Sequence, residues 1–181
     1  MNAQPIAIGS QAAAFSLWSV NYQQQYALPQ GKAGTIVAFI CNHCPYVQAV
    51  LPTFIQIANS YRPLGIDCVA ISSNDPTQYP QDAPTQMQKL AKEMNMPFAY
   101  CFDEDQTVAK AYQATCTPEF FVYDHLEKLY FHGAFDDYPA HRSPNQVTGF
   151  RLKQALNHLI TKNPFEDQSL SQGCSIKWKQ A

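Results

Sequence analysis

Short apolar, β-branched runs alternate along this chain with stretches of helical periodicity, and that alternation leaves few architectures open. Thr35 to Ile40, Ile66 to Ser72 and Phe98 to Phe102 have the continuous apolar character of strands covered on both faces. Between them, Val47, Val50, Leu51, Phe54, Ile55 and Ala58, and later Met87, Leu90, Ala91 and Met94, follow helical spacing. Pro52 lacks an N–H and clashes with the carbonyl of Gln48, so a kink or restart is expected in the first helix. Asp82 is placed to cap the second helix, with Pro84 in its first turn. Asp105 is placed to cap a short third helix ending near Tyr112. Glu119 to Tyr123 and Leu129 to His132 pair as a hairpin, and Leu152, Ala155, Leu156, Leu159 and Ile160 mark one face of a last helix starting near Asn145. This order predicts an α/β fold: a mixed central sheet, right-handed crossovers and helices on both faces. Reactive groups in such sheets collect beyond the carboxyl ends of the strands.

Composition narrows the function. The chain has 181 residues, 46% hydrophobic and 14% charged, enough to bury a core without disulfide staples. It reads as one domain, 1–181, with 161–181 a tail packed on the body. A net charge of −2 gives no electrostatic pull toward nucleic acid or an anionic membrane. The longest apolar run, Ile36 to Cys41, is far short of the roughly 20 residues of a membrane span. Met1 to Gly9 holds no Lys or Arg and does not resemble a secretory signal. The compartment expected on these grounds is the cytoplasm, where the six cysteines are reactive or metal-binding thiols rather than three bridges. Cys68 and Cys101 fall inside strand runs and read as packing.

Cys41-Asn42-His43-Cys44 joins a strand directly to a helix. Two thiols three residues apart on a first helical turn can close a small disulfide, and the free N–H groups and dipole of the helix end favour a thiolate. The thiolate is the nucleophile of disulfide exchange. A protonated His43 between the sulfurs would favour the anion further. Position assigns Cys41 as the exposed, attacking thiol and Cys44 as the resolving one. The competing interpretation, half of a zinc site, lacks a second close pair of ligands. A second signal is Cys116-Thr117-Pro118, at the head of the strand starting at Glu119. A cis Thr117–Pro118 bond beside the dithiol would expose the Thr117 backbone to an extended substrate.

Phe39-Ile40-Cys41-Asn42-His43-Cys44-Pro45-Tyr46-Val47, Cys116-Thr117-Pro118-Glu119-Phe120-Phe121, Phe135-Asp136-Asp137 and Gly173-Cys174-Ser175-Ile176-Lys177-Trp178 resemble the peroxiredoxin-like branch of the thioredoxin-fold superfamily. Its members are often named redoxin or alkyl hydroperoxide reductase/thiol-specific antioxidant proteins. The resemblance runs from about Ala14 to Lys179. It implies a thioredoxin-like fold, a redox dithiol at Cys41 and Cys44, and a cis-proline at Pro118. The chain also departs from the pattern. Ile40 stands where thioredoxin carries Trp, and no Asp or Glu occurs from Met1 to Ile66, so no buried carboxylate is expected beside Cys44. Peroxiredoxins hold Thr or Ser three residues before the peroxidatic cysteine. Here Ala38 precedes Cys41 by three, and Cys41 precedes Cys44 by three.

The expected function is therefore thiol–disulfide exchange through Cys41 and Cys44, supported by His43, Thr117, Pro118 and Cys116. It needs no cofactor and no metal. Its partners would be a protein or small-molecule disulfide, with a separate reductase as electron source. Thiol-dependent peroxidase chemistry is the first alternative and a metal-binding module the second. Cys174 is a candidate resolving thiol, and Arg142 a candidate positive charge near the thiolate.

Overall fold

In the computed structural model, which describes residues 6–137, 146–167 and 169–180, a single mixed sheet carries the chain. Nine strands and four α-helices follow in order among the described residues. They are β1 (Ser16–Ser19), β2 (Gln24–Ala27), β3 (Gly34–Phe39), α1 (Pro45–Tyr61), β4 (Ile66–Ser72), α2 (Pro84–Glu93), β5 (Ala99–Phe102), α3 (Thr107–Ala111), β6 (Cys116–Thr117), β7 (Glu119–Asp124), β8 (Leu129–Gly133), α4 (Phe150–Ile160) and β9 (Cys174–Ser175). Seven strands form the sheet in the order β2-β1-β5-β4-β3-β7-β8, and β6 pairs with β9 apart from it. The neighbours β3–β4 and β4–β5 are parallel, while β3–β7, β7–β8, β1–β5 and β1–β2 are antiparallel. This is a thioredoxin-like fold.

Alternation along β3 explains the two-layer packing. Ile36 and Ala38 point into one core with Val47, Leu51 and Phe54 of α1, Met87 and Ala91 of α2, and Leu152 and Leu156 of α4. Val37 and Phe39 point into the other, with Val108, Ala109 and Tyr112 from α3 and its C-terminal side, and with Ala12 and Phe15. Every residue of β3 is buried, as its apolar composition requires of a central strand.

Several local expectations are corrected. α1 runs unbroken through Pro52. Gln48 and Pro52 are both exposed, so the carbonyl that the proline leaves without an N–H partner lies on the solvent side of the helix. On the buried face Ile57 replaces Ile55, which is only half-buried. α4 begins at Phe150, not near Asn145, which lies outside the described residues. Asp136 fixes that start by accepting hydrogen bonds from the amides of Thr148, Gly149 and Phe150 at 2.7, 2.8 and 3.0 Å. Asp105 does accept from the Thr107 amide at 3.1 Å, but Asp103 shares the work, accepting from those of Val108 and Ala109 at 3.2 and 2.9 Å. β1 and β2 form a hairpin that the sequence does not announce. The tail, which has no period, contains β9. No helix among the described residues is long and apolar enough to cross a membrane.

Candidate active site

β3 ends at Phe39 and α1 starts at Pro45, so the Cys41–Cys44 segment is the strand-to-helix turn. Pro45 occupies the first helical position, where its missing N–H is one of the unpaired ones in any case. Cys44 is the residue that precedes the helix and carries extended φ/ψ. The Thr117–Pro118 bond is cis, and this turn brings β6 across the dithiol. Cys41 Sγ lies 3.3 Å from Thr117 Oγ1, and Cys44 Sγ lies 3.2 Å from the Thr117 carbonyl oxygen. One residue therefore touches both sulfurs.

Three expectations about this site are corrected. Cys41 is not the exposed thiol: both cysteines are 0% exposed. The Thr117 backbone is not open either, because β9 covers it. Cys174 pairs with Thr117 and Ser175 with Cys116 in antiparallel register, and the Ile176 amide donates to the Thr115 carbonyl at 3.0 Å. Finally, a buried carboxylate is present. Asp82 does not cap α2, whose N-cap is Ala83. It is fully buried against the dithiol turn. Its Oδ1 accepts from the amides of Asn42 and His43 at 2.8 and 3.1 Å. Its Oδ2 accepts from Asn74 Nδ2 at 2.8 Å and lies 2.5 Å from His43 Nδ1. The same His43 ring stacks on Tyr79 with centroids 5.1 Å apart.

Those bonds also decide how the cluster of Cys41, His43 and Asp82 is used. Their potential ligand atoms lie within 4.8 Å of one another. Both Asp82 oxygens are engaged by donor groups of the turn and its neighbours, so the carboxylate holds the loop.

The electrostatics separate the two sulfurs. Adjacent thiols in a dry site do not both ionise; they share a proton. The Cys44 thiol is pulled down to about 4, chiefly by the hydrogen bond it receives from Cys41, and also by contacts from Cys174 and the Val47 amide, against the opposing effect of burial. Cys44 makes no capping hydrogen bond of regular geometry, yet the Val47 amide at the helix end still favours its anion. The Thr117 carbonyl accepts from the Cys44 thiol and favours its protonated form. Cys41 is driven strongly upward by giving its proton to Cys44, then by burial and the Asp82 carboxylate. The shared hydrogen bond and burial oppose ionisation of Cys41, and that same bond favours an anion at Cys44.

The remaining cysteines sort clearly. Burial pushes Cys68 and Cys101 up to about 12, as packing residues. Cys116 is half-buried and is likewise raised to about 12 by burial and then by Glu119. Glu119, missed as a site residue, is buried and accepts from the amides of Thr115 and Cys116 at 2.7 and 3.2 Å while pairing with His132 at 2.8 Å. It thus holds the turn that presents Thr117. Arg142 lies outside the described residues, so the structure does not place it. Neither Asp82 nor Glu119 carries a local signal in the sequence. Both reach the site by folding, Asp82 from the loop after β4 and Glu119 from the first position of β7.

The AhpC/TSA family model matches residues 8–132. A crystal structure of an uncharacterized conserved protein from Geobacillus kaustophilus superposes with a TM-score of 0.93 at 43% identity, covering 97% of this chain and 94% of that one. A putative thiol:disulfide interchange protein DsbE from Chlorobium tepidum superposes at 0.68 with 17% identity, covering 86% and 99%. Peroxidoxin BcpB from Mycobacterium tuberculosis superposes at 0.63 with 16% identity, covering 86% and 97%. No curated protein matches the chain. The span of the family match, over the sheet and the dithiol turn together, identifies the chain as a member of the AhpC/TSA redoxin family.

Proposed function

We propose that the protein is a thiol–disulfide oxidoreductase whose reactive pair is Cys44 and Cys41. The observation that carries this is the buried pair itself: one sulfur favoured as an anion beside a second that holds the shared proton, both against Thr117 and Pro118. In the reducing direction, a disulfide is transferred onto Cys44. Cys41 then attacks the Cys44 sulfur, closing Cys41–Cys44 and releasing the reduced product. The departing thiolate takes up the Cys41 proton, and Asp82, within 4.8 Å of the Cys41 sulfur, holds the turn in place. His43, paired with Asp82 and stacked on Tyr79, fixes the turn between the two sulfurs. Cys116 packs beside the site. The reaction needs no cofactor, and a separate reductase returns the pair to the dithiol. Six unpaired cysteines suit a reducing compartment, which is why we assign the protein to the cytoplasm.

A second reading, thiol-dependent peroxidase, has one observation in its favour. Cys41 stands three residues before Cys44 and donates a hydrogen bond to its sulfur, the place where peroxiredoxins hold a hydroxyl. The two described arginines supply no free positive charge there: Arg62 donates to the Pro97 carbonyl, and Arg151 pairs with Asp137 and Asp167.

The test is turnover of a model protein disulfide with a thiol reductant, run beside stopped-flow mixing of the reduced protein with hydrogen peroxide. Disulfide turnover that disappears in Cys44→Ser, and that stalls in Cys41→Ser with Cys44 held in a disulfide, is the expected result. Rapid peroxide consumption without disulfide turnover would replace this reading with the second.

A further inference from the structure

The dithiol has no solvent exposure, yet exchange with an outside disulfide requires a sulfur that reaches one. The C-terminal tail supplies a candidate. Cys174 sits directly across from Thr117, the residue that both dithiol sulfurs touch. It packs against the same core as Cys41 and Cys44, yet it is only half-buried.

The tail is built into this position. On one side, Ser171 Oγ donates to the Gly133 carbonyl at 2.8 Å, and the Ala134 amide to the Ser169 carbonyl at 2.7 Å. On the other, the Lys177 amide donates to Asn74 Oδ1 at 2.8 Å, and the Lys179 amide to Gln106 Oε1 at 2.9 Å. Asn74 is the same residue that donates to Asp82, so one network holds both the dithiol turn and the tail. Ile176 is buried in the second core. Gly173 permits the approach: a Cβ there would lie 2.1 Å from the Thr117 carbonyl oxygen. A strand lying this close takes the place along Thr117 where an extended substrate was expected.

We propose that Cys174 is a relay thiol that exchanges disulfides with an external partner at the surface and with the buried pair through Cys44. The proposal rests on the dithiol reading above and adds its route. An outside disulfide RS–SR′ is attacked by Cys174, whose proton passes to Cys44. A Cys174–SR bond forms and R′S⁻ leaves. Cys44 then attacks the Cys174 sulfur, expelling RS⁻, which takes up the Cys44 proton. Cys41 attacks the Cys44 sulfur, closing Cys41–Cys44, and its proton returns to the departing Cys174. One disulfide has been reduced and one internal disulfide formed. One product leaves as thiol and the other as thiolate, matching the single anion of the starting trio. The groove beside the tail is lined by Tyr46, Pro118, Phe135, Leu170 and Gln172, and a partner seated there would lie next to the segment that leads into Cys174.

Two measurements test it. Cys174→Ser should lower turnover of an external protein disulfide by about tenfold or more, because the positioned internal partner is lost. Mild oxidation of Cys41→Ser should yield a Cys44–Cys174 disulfide by peptide mass mapping. Unchanged or raised turnover in Cys174→Ser, as expected if the tail were only a cover, would overturn the relay and leave the dithiol reading intact. So would Cys41→Ser protein whose Cys44 is never found bonded to Cys174. If the wild type turns over no disulfide at all, the dithiol reading fails, and the mapping alone decides whether Cys44 and Cys174 exchange.

Discussion

Asp82→Ala is expected to destabilise the reduced protein by about 3 kcal/mol or more. The carboxylate is fully buried and accepts from the amides of Asn42 and His43 and from the Asn74 side chain, with His43 Nδ1 as its fourth contact. A hydrogen bond to a charged group is worth about 1.5–3 kcal/mol, and each donor left unpaired in a dry site adds its own desolvation cost. Water entering the space left by the carboxylate recovers part of this, so the sum of the individual bonds overstates the loss. The two amides belong to the dithiol turn, so the destabilisation is accompanied by a looser Cys41–Cys44 geometry. The substitution also removes a negative charge that holds Cys41 in its thiol form. Urea unfolding of the reduced protein measures the first effect, and an unfolding free energy within about 0.5 kcal/mol of wild type, the range of an ordinary surface substitution, would mean that the turn does not depend on Asp82.

The second large effect concerns pH. Cys44 ionises near 4 in the folded protein, against an ordinary value of 9. A group with a depressed folded value adds stability that is complete above its unfolded value and declines as pH falls toward its folded value. The reduced protein should therefore gain stability steadily as pH rises from about 4 to about 9, measured as the difference from Cys44→Ser, which cancels the other titrating groups. Cys41 acts in the opposite sense. Its folded value is raised, so its cost appears only above about 9, where the unfolded chain can ionise it and the folded chain cannot. The oxidised protein has neither thiol and should not show this pH difference. Parallel denaturation curves for the reduced wild type and Cys44→Ser across that range would remove Cys44 as the anion.

The sequence and the structure agree where the signal is local. β3 and β4 were legible because a central strand must be apolar on both faces. α1 and the β7–β8 hairpin were legible because their periods switch from helical to strand spacing. The dithiol turn was legible from two cysteines at the end of a strand run, and the cis-proline from the pairing of Pro118 with that dithiol. What could not be read depends on distance in the chain. Ser16–Ser19 and Gln24–Ala27 are largely polar and exposed, so no apolar run marks them as strands. Asp82 stands between Pro80 and Pro84 and looks like a helix cap. Its role is set by Asn42 and His43, some forty residues earlier. Cys174 lies in a segment without periodicity because its strand is two residues long and pairs only with β6. Position in the dithiol turn does not show that the tail pairs along Thr117 or that a carboxylate from another loop lies beside Cys41.

The proposed disulfide exchange depends on Cys44 carrying a negative charge at neutral pH in the reduced, folded protein. Ultraviolet thiolate absorbance, followed as the reduced protein is titrated, reads that charge whether or not the sulfur is exposed. The account predicts one thiolate appearing with a midpoint well below the ordinary cysteine range and absent from Cys44→Ser. Absorbance that rises only above about 8, the range of an ordinary cysteine, would contradict it.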